Sequence, residues 1–207
     1  MTPPPWSGGP GRGPLVLASR SPQRSAILET LQVPFRVQVS GAEETTAGEP
    51  VAVAIANARA KALAVAALEP AGTVVLGADT VIVDDTDGTP RAVGKPADED
   101  EALAMLRRWS GGAHHVASAA AVARSTGEGG TPEILLAEAD TTLVRFRTLF
   151  DHDLSWYVGT GEWRERAGAY AIQLRGSLLV DGVEGDWWTV VGLPVGLLSR
   201  RLPMIFR

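Results

Sequence analysis

The stretch Leu15–Leu28, LVLASRSPQRSAIL, passes from an apolar run through a knot of hydroxyls and guanidinium groups into apolar residues at helical spacing. Val16 to Ala18 reads as a buried strand. Pro22 suits the first turn of a following helix, with Ser21 available as its N-cap, and Ala26, Ile27, Leu28 and Leu31 supply an apolar face. A strand that feeds directly into a helix points to an α/β chain.

The same reading extends outward. Phe35 to Val39 alternates as a second strand, and after Gly-Ala-Glu-Glu-Thr-Thr an alanine-rich helix is expected from about Val51 to Leu68. Thr73 to Val83, TVVLGADTVIV, has the β-branched density of a central strand, interrupted by Gly-Ala-Asp-Thr, and Pro90 to Val93 returns beside it as a short hairpin. A helix over Ala97–Trp109 is followed by long strands at His115–Ala123 and Ile134–Phe146. A helix at Asp151–Gly159, a strand at Leu178–Val183 and a closing helix from Trp187 to Leu202, broken or begun near Pro194, complete the expectation. Strands and helices mix without the alternation of a doubly wound sheet. No repeat or interior linker divides the chain, so residues 14–207 read as one domain behind a flexible, proline-rich tail at residues 1–13.

Composition removes several function classes. The 207 residues are 45% hydrophobic and 21% charged, as in ordinary globular proteins, and no run approaches the roughly 18 apolar residues of a membrane span. Without cysteine there are no disulfides, thiolate metal sites or cysteine nucleophiles, which is compatible with a cytoplasmic enzyme. The net charge of −5 argues against nucleic-acid binding by a broad basic surface, so any phosphate-bearing ligand must meet a local cationic cluster. Of the 19 basic residues only Lys61 and Lys95 are lysine.

Candidate chemistry begins in the opening stretch. A helix N-terminus attracts anions, and Ser19, Arg20, Ser21 and Arg24 crowd this one, without the spacing of a P-loop. These residues alone fit a capped helix with surface arginines as well as a phosphate site. Asp79 is a carboxylate inside an apolar strand run, costly unless paired or metal-bound, although by itself it reads as a turn aspartate after Gly77. Glu43 and Glu44 follow the second strand; folded toward Asp79, one of them would complete a hard oxygen site for Mg²⁺ or Mn²⁺. Lys61 and Lys95 mark places where a compact ammonium is wanted in an otherwise arginine-based chain. His114, His115 and His152 lack ligand spacing and are expected in loops or on the surface, while the tryptophans at 109, 156, 163, 187 and 188 are expected in core or interface packing.

Seven stretches in order resemble the Maf family of nucleotide pyrophosphatases: LASRSPQRSAILETL from Leu17, Glu43-Glu44, Lys61-Ala62, GADTVIV from Gly77, GKP from Gly94, AGAYAIQ from Ala167 and VVGLP from Val190. The resemblance implies an elongated α/β fold of the Maf/ITPase kind, with a mixed sheet and two lobes around a central cleft, usually as a homodimer. It implies hydrolysis of a nucleoside triphosphate between the α and β phosphates with a divalent cation, Mg²⁺ or Mn²⁺. By position it assigns Ser19, Arg24, Lys61 and Lys95 to phosphate binding and Glu44 and Asp79 to the metal. Asp79 would also activate the attacking water, as base or through the metal. Substrate selection falls to Gln23, Thr80 and Gln173.

In the family branch that prefers dTTP and UTP the selecting trio is arginine, threonine and glutamine; here Gln23 replaces the arginine, exchanging a fixed cationic fork for an amide that both donates and accepts. The resemblance therefore implies dTTP, UTP or modified nucleotides as substrates. Asp186-Trp187-Trp188-Thr189 also departs from the small, polar pattern usual before VVGLP, which bears on a pocket wall or dimer contact. Two other readings stand beside this one: a nucleotide-binding regulator of cell division or septum formation without turnover, and a phosphatase that removes the terminal phosphate. If the lysines are sites of required ammonium geometry, Lys61→Arg and Lys95→Arg each lower turnover severely whereas Arg107→Lys changes it little; wild-type rates in both lysine variants would overturn that reading.

Overall fold

The computed structural model describes residues 15–86 and 88–206, so the tail expected at residues 1–13 lies outside the described residues. Strands and helices mix as expected. Seven strands form one mixed sheet in the order β2-β1-β3-β5-β6-β7, with β4 paired to β3. They are β1 (Leu15–Ala18), β2 (Phe35–Val37), β3 (Val74–Asp84), β4 (Arg91–Val93), β5 (Ala113–Arg124), β6 (Glu133–Phe146) and β7 (Val180–Glu184). The helices are α1 (Pro22–Thr30), α2 (Pro50–Ala66), α3 (Glu99–Trp109), α4 (Asp151–Gly159), α5 (Trp187–Val191) and α6 (Val195–Arg201). By internal contacts the chain divides into two units, the first built from residues 15–80, 118–140 and 192–206, the second from residues 81–117 and 141–191.

In the first unit β1 lies between β2 and the start of β3, parallel to both, and all four of its residues are buried. The helices α1 and α2 make the connections that parallel strands require. Pro50 opens α2, and the Glu49 side chain caps it by accepting from the Val51 and Ala52 N–H groups. The alanines of α2 are there for close approach. A Cβ placed on Gly77 of β3 would stand 2.3 Å from the Ala58 carbonyl oxygen and 2.7 Å from the Ala62 nitrogen, so strand and helix backbones nearly touch. The Gly-Ala-Asp-Thr segment does not interrupt β3 as the sequence suggested. The strand runs unbroken for 11 residues because Gly77 is accommodated by α2 and Asp79 has partners there.

The second unit has a core of larger side chains, among them Leu106, Trp109, Phe146, Tyr157, Trp163 and Tyr170. The acidic first turn of α3 and the arginines of its last turn complement the helix dipole, and Asp98 caps it by accepting from Glu101 N–H. Gly168 adopts φ +68°, and a Cβ there would meet Ile82 at 2.4 Å; its carbonyl accepts from Trp109 Nε1 at 3.0 Å. Trp109 and Trp163 are buried, while Trp156 and Trp187 remain 44% and 41% exposed. Asp186 Oδ1 caps the start of α5 by accepting from the Trp188 N–H at 3.0 Å.

His114 corrects an expectation. Rather than lying in a loop or on the surface it is fully buried in β5, its Nε2 3.0 Å from the Tyr170 hydroxyl and its ring 4.3 Å from that of Trp109. Adjacent strand residues face opposite sides, so only its neighbour His115 reaches solvent, near Asp85. Burial pushes the His114 imidazole down to about 4, Asp84 opposing and His115 assisting. An unfolded chain would take up this proton near pH 6.5 while the folded one waits until about 4, so the stabilisation is complete above the first value and is lost as pH falls between them. Over the whole interval that amounts to about 3 kcal/mol. Denaturant titrations from pH 7 to 4.5 are therefore expected to show a steeper loss in the wild type than in His114→Gln; equal slopes would contradict the assignment.

Candidate functional site

The first unit gathers most of the sequence-identified residues into two adjoining networks. The first centres on Arg24, whose position one turn into α1 carries its side chain back over the end of β1. The guanidinium is buried, and each of its acceptors is a neutral oxygen: Ser19 Oγ at 3.0 Å, the Gly192 carbonyl at 3.0 Å and Thr80 Oγ1 at 3.2 Å. Burial pushes its pKa down, opposed by the charges of Asp79 and Glu44. A desolvated cation with no direct carboxylate partner among the described residues is prepared to receive an anion.

Thr80 Oγ1 also meets Ser118 Oγ at 2.8 Å and donates to the Gly192 carbonyl at 3.3 Å, so this hydroxyl is part of the frame that holds Arg24. Gly192 has φ +130°, a conformation that glycine reaches without strain, and the break it makes between α5 and α6 turns its carbonyl toward Arg24. This gives the VVGLP motif a physical role. Ser19 Oγ, besides accepting from Arg24, accepts from the Ser21 N–H at 3.1 Å, and Ser21 Oγ donates to Gln23 Oε1 at 2.8 Å. Ser21 occupies the N-cap position but makes no side-chain cap bond; its hydroxyl is given to Gln23 instead.

The second network centres on Lys61, which is buried on α2. Its ammonium lies 2.8 Å from Asp79 Oδ1 and 2.9 Å from Glu44 Oε1 and also donates to the Ala78 carbonyl at 3.4 Å. Glu44 thus folds back toward Asp79, as the sequence allowed but did not require. Hydrogen bonding from Lys61 is the largest cause holding the Glu44 carboxyl below its ordinary range, with the Arg24 and Arg20 charges assisting and partial burial opposing. The other Asp79 oxygen accepts from Asn57 Nδ2 at 3.2 Å.

Among the described residues no three acidic or imidazole groups converge as a ready-made metal cage. Two carboxylates on either side of one ammonium are nevertheless the donor set that Mg²⁺ or Mn²⁺ uses when substrate phosphates complete the coordination, so Glu44 and Asp79 fit such an ion.

Lys95 and Gln173 belong to the second unit. Lys95 pairs with Glu165 at 2.7 Å, both exposed, and the GKP and AGAYAIQ motifs are joined by a bond from Gly168 N–H to the Gly94 carbonyl at 3.0 Å. Glu165 holds φ +59°, and the Lys95 ammonium, through its hydrogen bond, keeps the Glu165 carboxyl below its ordinary range. Gln173 is exposed in a turn after the motif's buried Ile172.

Three participants escaped sequence reading: Asn57, Ser118 and the Gly192 carbonyl. Asn57 carried a usable signal, since it stands four residues before Lys61 and so shares its helix face. Ser118 in an alanine-rich strand and a backbone carbonyl carried none.

Curated relatives align over nearly the whole chain. A Thermus thermophilus protein named dTTP/UTP pyrophosphatase is 45% identical across 94% of this chain and 96% of its own. Proteins of the same name from Myxococcus xanthus and Symbiobacterium thermophilum are 42% and 40% identical, covering 93% and 92% of this chain and 95% and 92% of theirs. Among solved structures, the Staphylococcus aureus Ham1 protein spans 91% of this chain and 97% of its own at 14% identity and a TM-score of 0.45, a likeness on which nothing about the site rests. The motifs, their order and the match of residues 14–204 to the family described as Maf-like protein agree: the chain belongs to that family.

Proposed function

We propose that the protein is a nucleoside triphosphate pyrophosphatase that takes dTTP and UTP and releases the monophosphate and pyrophosphate. The observation that carries this reading is the pairing, in one unit, of a buried guanidinium held by neutral oxygens with an ammonium held between two carboxylates. The relatives' shared name supports it.

A triphosphate brings about four negative charges, and Arg24 with Lys61 offers fixed cations where charge grows on the leaving group. The Ser19 hydroxyl and the N-terminus of α1 add donors beside Arg24. Water attacks the α phosphorus and forms the new P–O bond, its proton passing to the Asp79 carboxylate. The α–β anhydride bond breaks, and its electron pair leaves with pyrophosphate. Lys61 and Asn57 fix the two Asp79 oxygens, so the base has a set orientation before substrate arrives.

Glu44 and Asp79 would hold Mg²⁺ or Mn²⁺, which supplies charge neutralisation at the phosphates and polarises water. A homodimer and a cytoplasmic location belong to the same reading. No described helix is long and apolar enough to cross a membrane.

Purified protein with Mg²⁺ or Mn²⁺ and a nucleotide panel is expected to release monophosphate and pyrophosphate, fastest from dTTP and UTP. Tight binding without turnover would favour a regulator, and diphosphate with orthophosphate a phosphatase. Asp79→Asn should lower kcat by roughly 10²- to 10⁴-fold with the fold intact; near-normal turnover would remove Asp79 as the base. Arg24→Met is expected to raise KM and lower kcat/KM by at least about 10-fold, and an unchanged kcat/KM would place the phosphates elsewhere.

A further inference from the structure

We propose that Asn57 is a positioning residue that holds the Glu44 loop and the Asp79 carboxylate in one working arrangement. The inference rests on the pyrophosphatase reading above and extends the part of Asn57 from the Asp79 carboxylate to the loop that carries Glu44. Asn57 is buried on α2, one turn before Lys61. Its side-chain oxygen accepts from the Thr45 N–H at 2.9 Å, and its side-chain nitrogen donates to the Thr45 carbonyl at 3.0 Å. The same nitrogen donates to Asp79 Oδ2 at 3.2 Å.

One amide therefore satisfies both backbone groups of the residue next to Glu44 and touches the carboxylate expected to act as base. Residues 38–47 have no helix or strand of their own, so their backbone must find its hydrogen bonds elsewhere. The Asn57 amide ties the Thr45 backbone to α2, and the adjacent Glu44 carboxylate lies 2.9 Å from Lys61 on the same helix. Asp79 is a third exchange in the same arrangement: Lys61 takes Oδ1 and Asn57 takes Oδ2, which sets the carboxylate plane. Asn57 is suited to this where aspartate or leucine is not, because the geometry calls for an acceptor toward Thr45 N–H and donors toward two oxygens.

The test compares Asn57→Ala and Asn57→Asp with the wild type, using dTTP, Mg²⁺ and pyrophosphate release. In Asn57→Ala, kcat is expected to fall about 10- to 100-fold, the size of loss that an ångström of misplacement causes. Substrate KM should change by less than about threefold, since the phosphate-binding cations are untouched. The loss is expected to be smaller in a Glu44→Gln background than in the wild type, because Asn57 acts partly through Glu44. Asn57→Asp keeps the acceptor for Thr45 N–H but loses both donors and sets a like charge against Asp79, so Thr45 stays protected from hydrogen exchange while kcat still falls.

Wild-type kcat in either folded variant, or an equal fold-loss in both Glu44 backgrounds, overturns the proposal. Hydrogen exchange on the wild type supplies a check that needs no variant: a protected Thr45 amide supports the tie, and exchange at the rate of an unstructured peptide overturns it. If the wild type itself released no pyrophosphate, the functional reading would fail instead, and the two failures are distinct.

Discussion

The contact on which the first unit depends is the approach of the α2 backbone to Gly77 of β3, where the space for a Cβ is taken by the Ala58 carbonyl and the Ala62 nitrogen. A side chain on the strand has no room there, and the small Ala62 side chain, 3.1 Å from the same point, suits so close an approach. Because the backbones nearly touch, Asn57 and Lys61, on the same face of α2, can reach Asp79 just two residues beyond Gly77. A bulkier residue at Gly77 would push the helix out and take both partners of the carboxylate with it. The small residues of α2 opposite Gly77 thus serve the close approach, and the helix stability that alanine brings is a second benefit.

Charge is arranged in two different ways around this contact. Lys61 is compensated by Glu44 and Asp79, so it is stable without a ligand. Among the described residues Arg24 is held by neutral oxygens, and the charges of Asp79 and Glu44 soften the cost of burying it. A phosphate would give Arg24 the direct anionic partner that the described residues do not supply. The frame that holds Arg24 draws on residues 19, 80 and 192, so three stretches far apart in the chain meet at one guanidinium.

Much of this was legible in the sequence where the cause is local. The helix Asp151–Gly159 has the bounds its composition indicated, because Asp153 closes its first turn on the Phe150 N–H. The break near Pro194 follows from proline and from the left-handed Gly192. What the sequence left open depends on partners far along the chain. Asp79 looked like a turn residue because Lys61 and Asn57, 18 and 22 residues away, are invisible to local pattern. His114 looked exposed because its burial is decided by Trp109, Phe146 and Tyr170. The VVGLP motif gave no sign that its contribution is a backbone carbonyl.

In the proposed reaction this arrangement directs water to the α phosphorus. Hydrolysis of dTTP in ¹⁸O-labelled water, with mass analysis of both products, tests it most directly. Attack at the α phosphorus places one labelled oxygen in the monophosphate and none in pyrophosphate. Label in pyrophosphate would mean attack at the β phosphorus, label in orthophosphate would mean attack at the γ phosphorus, and either result would rule out the proposed reaction.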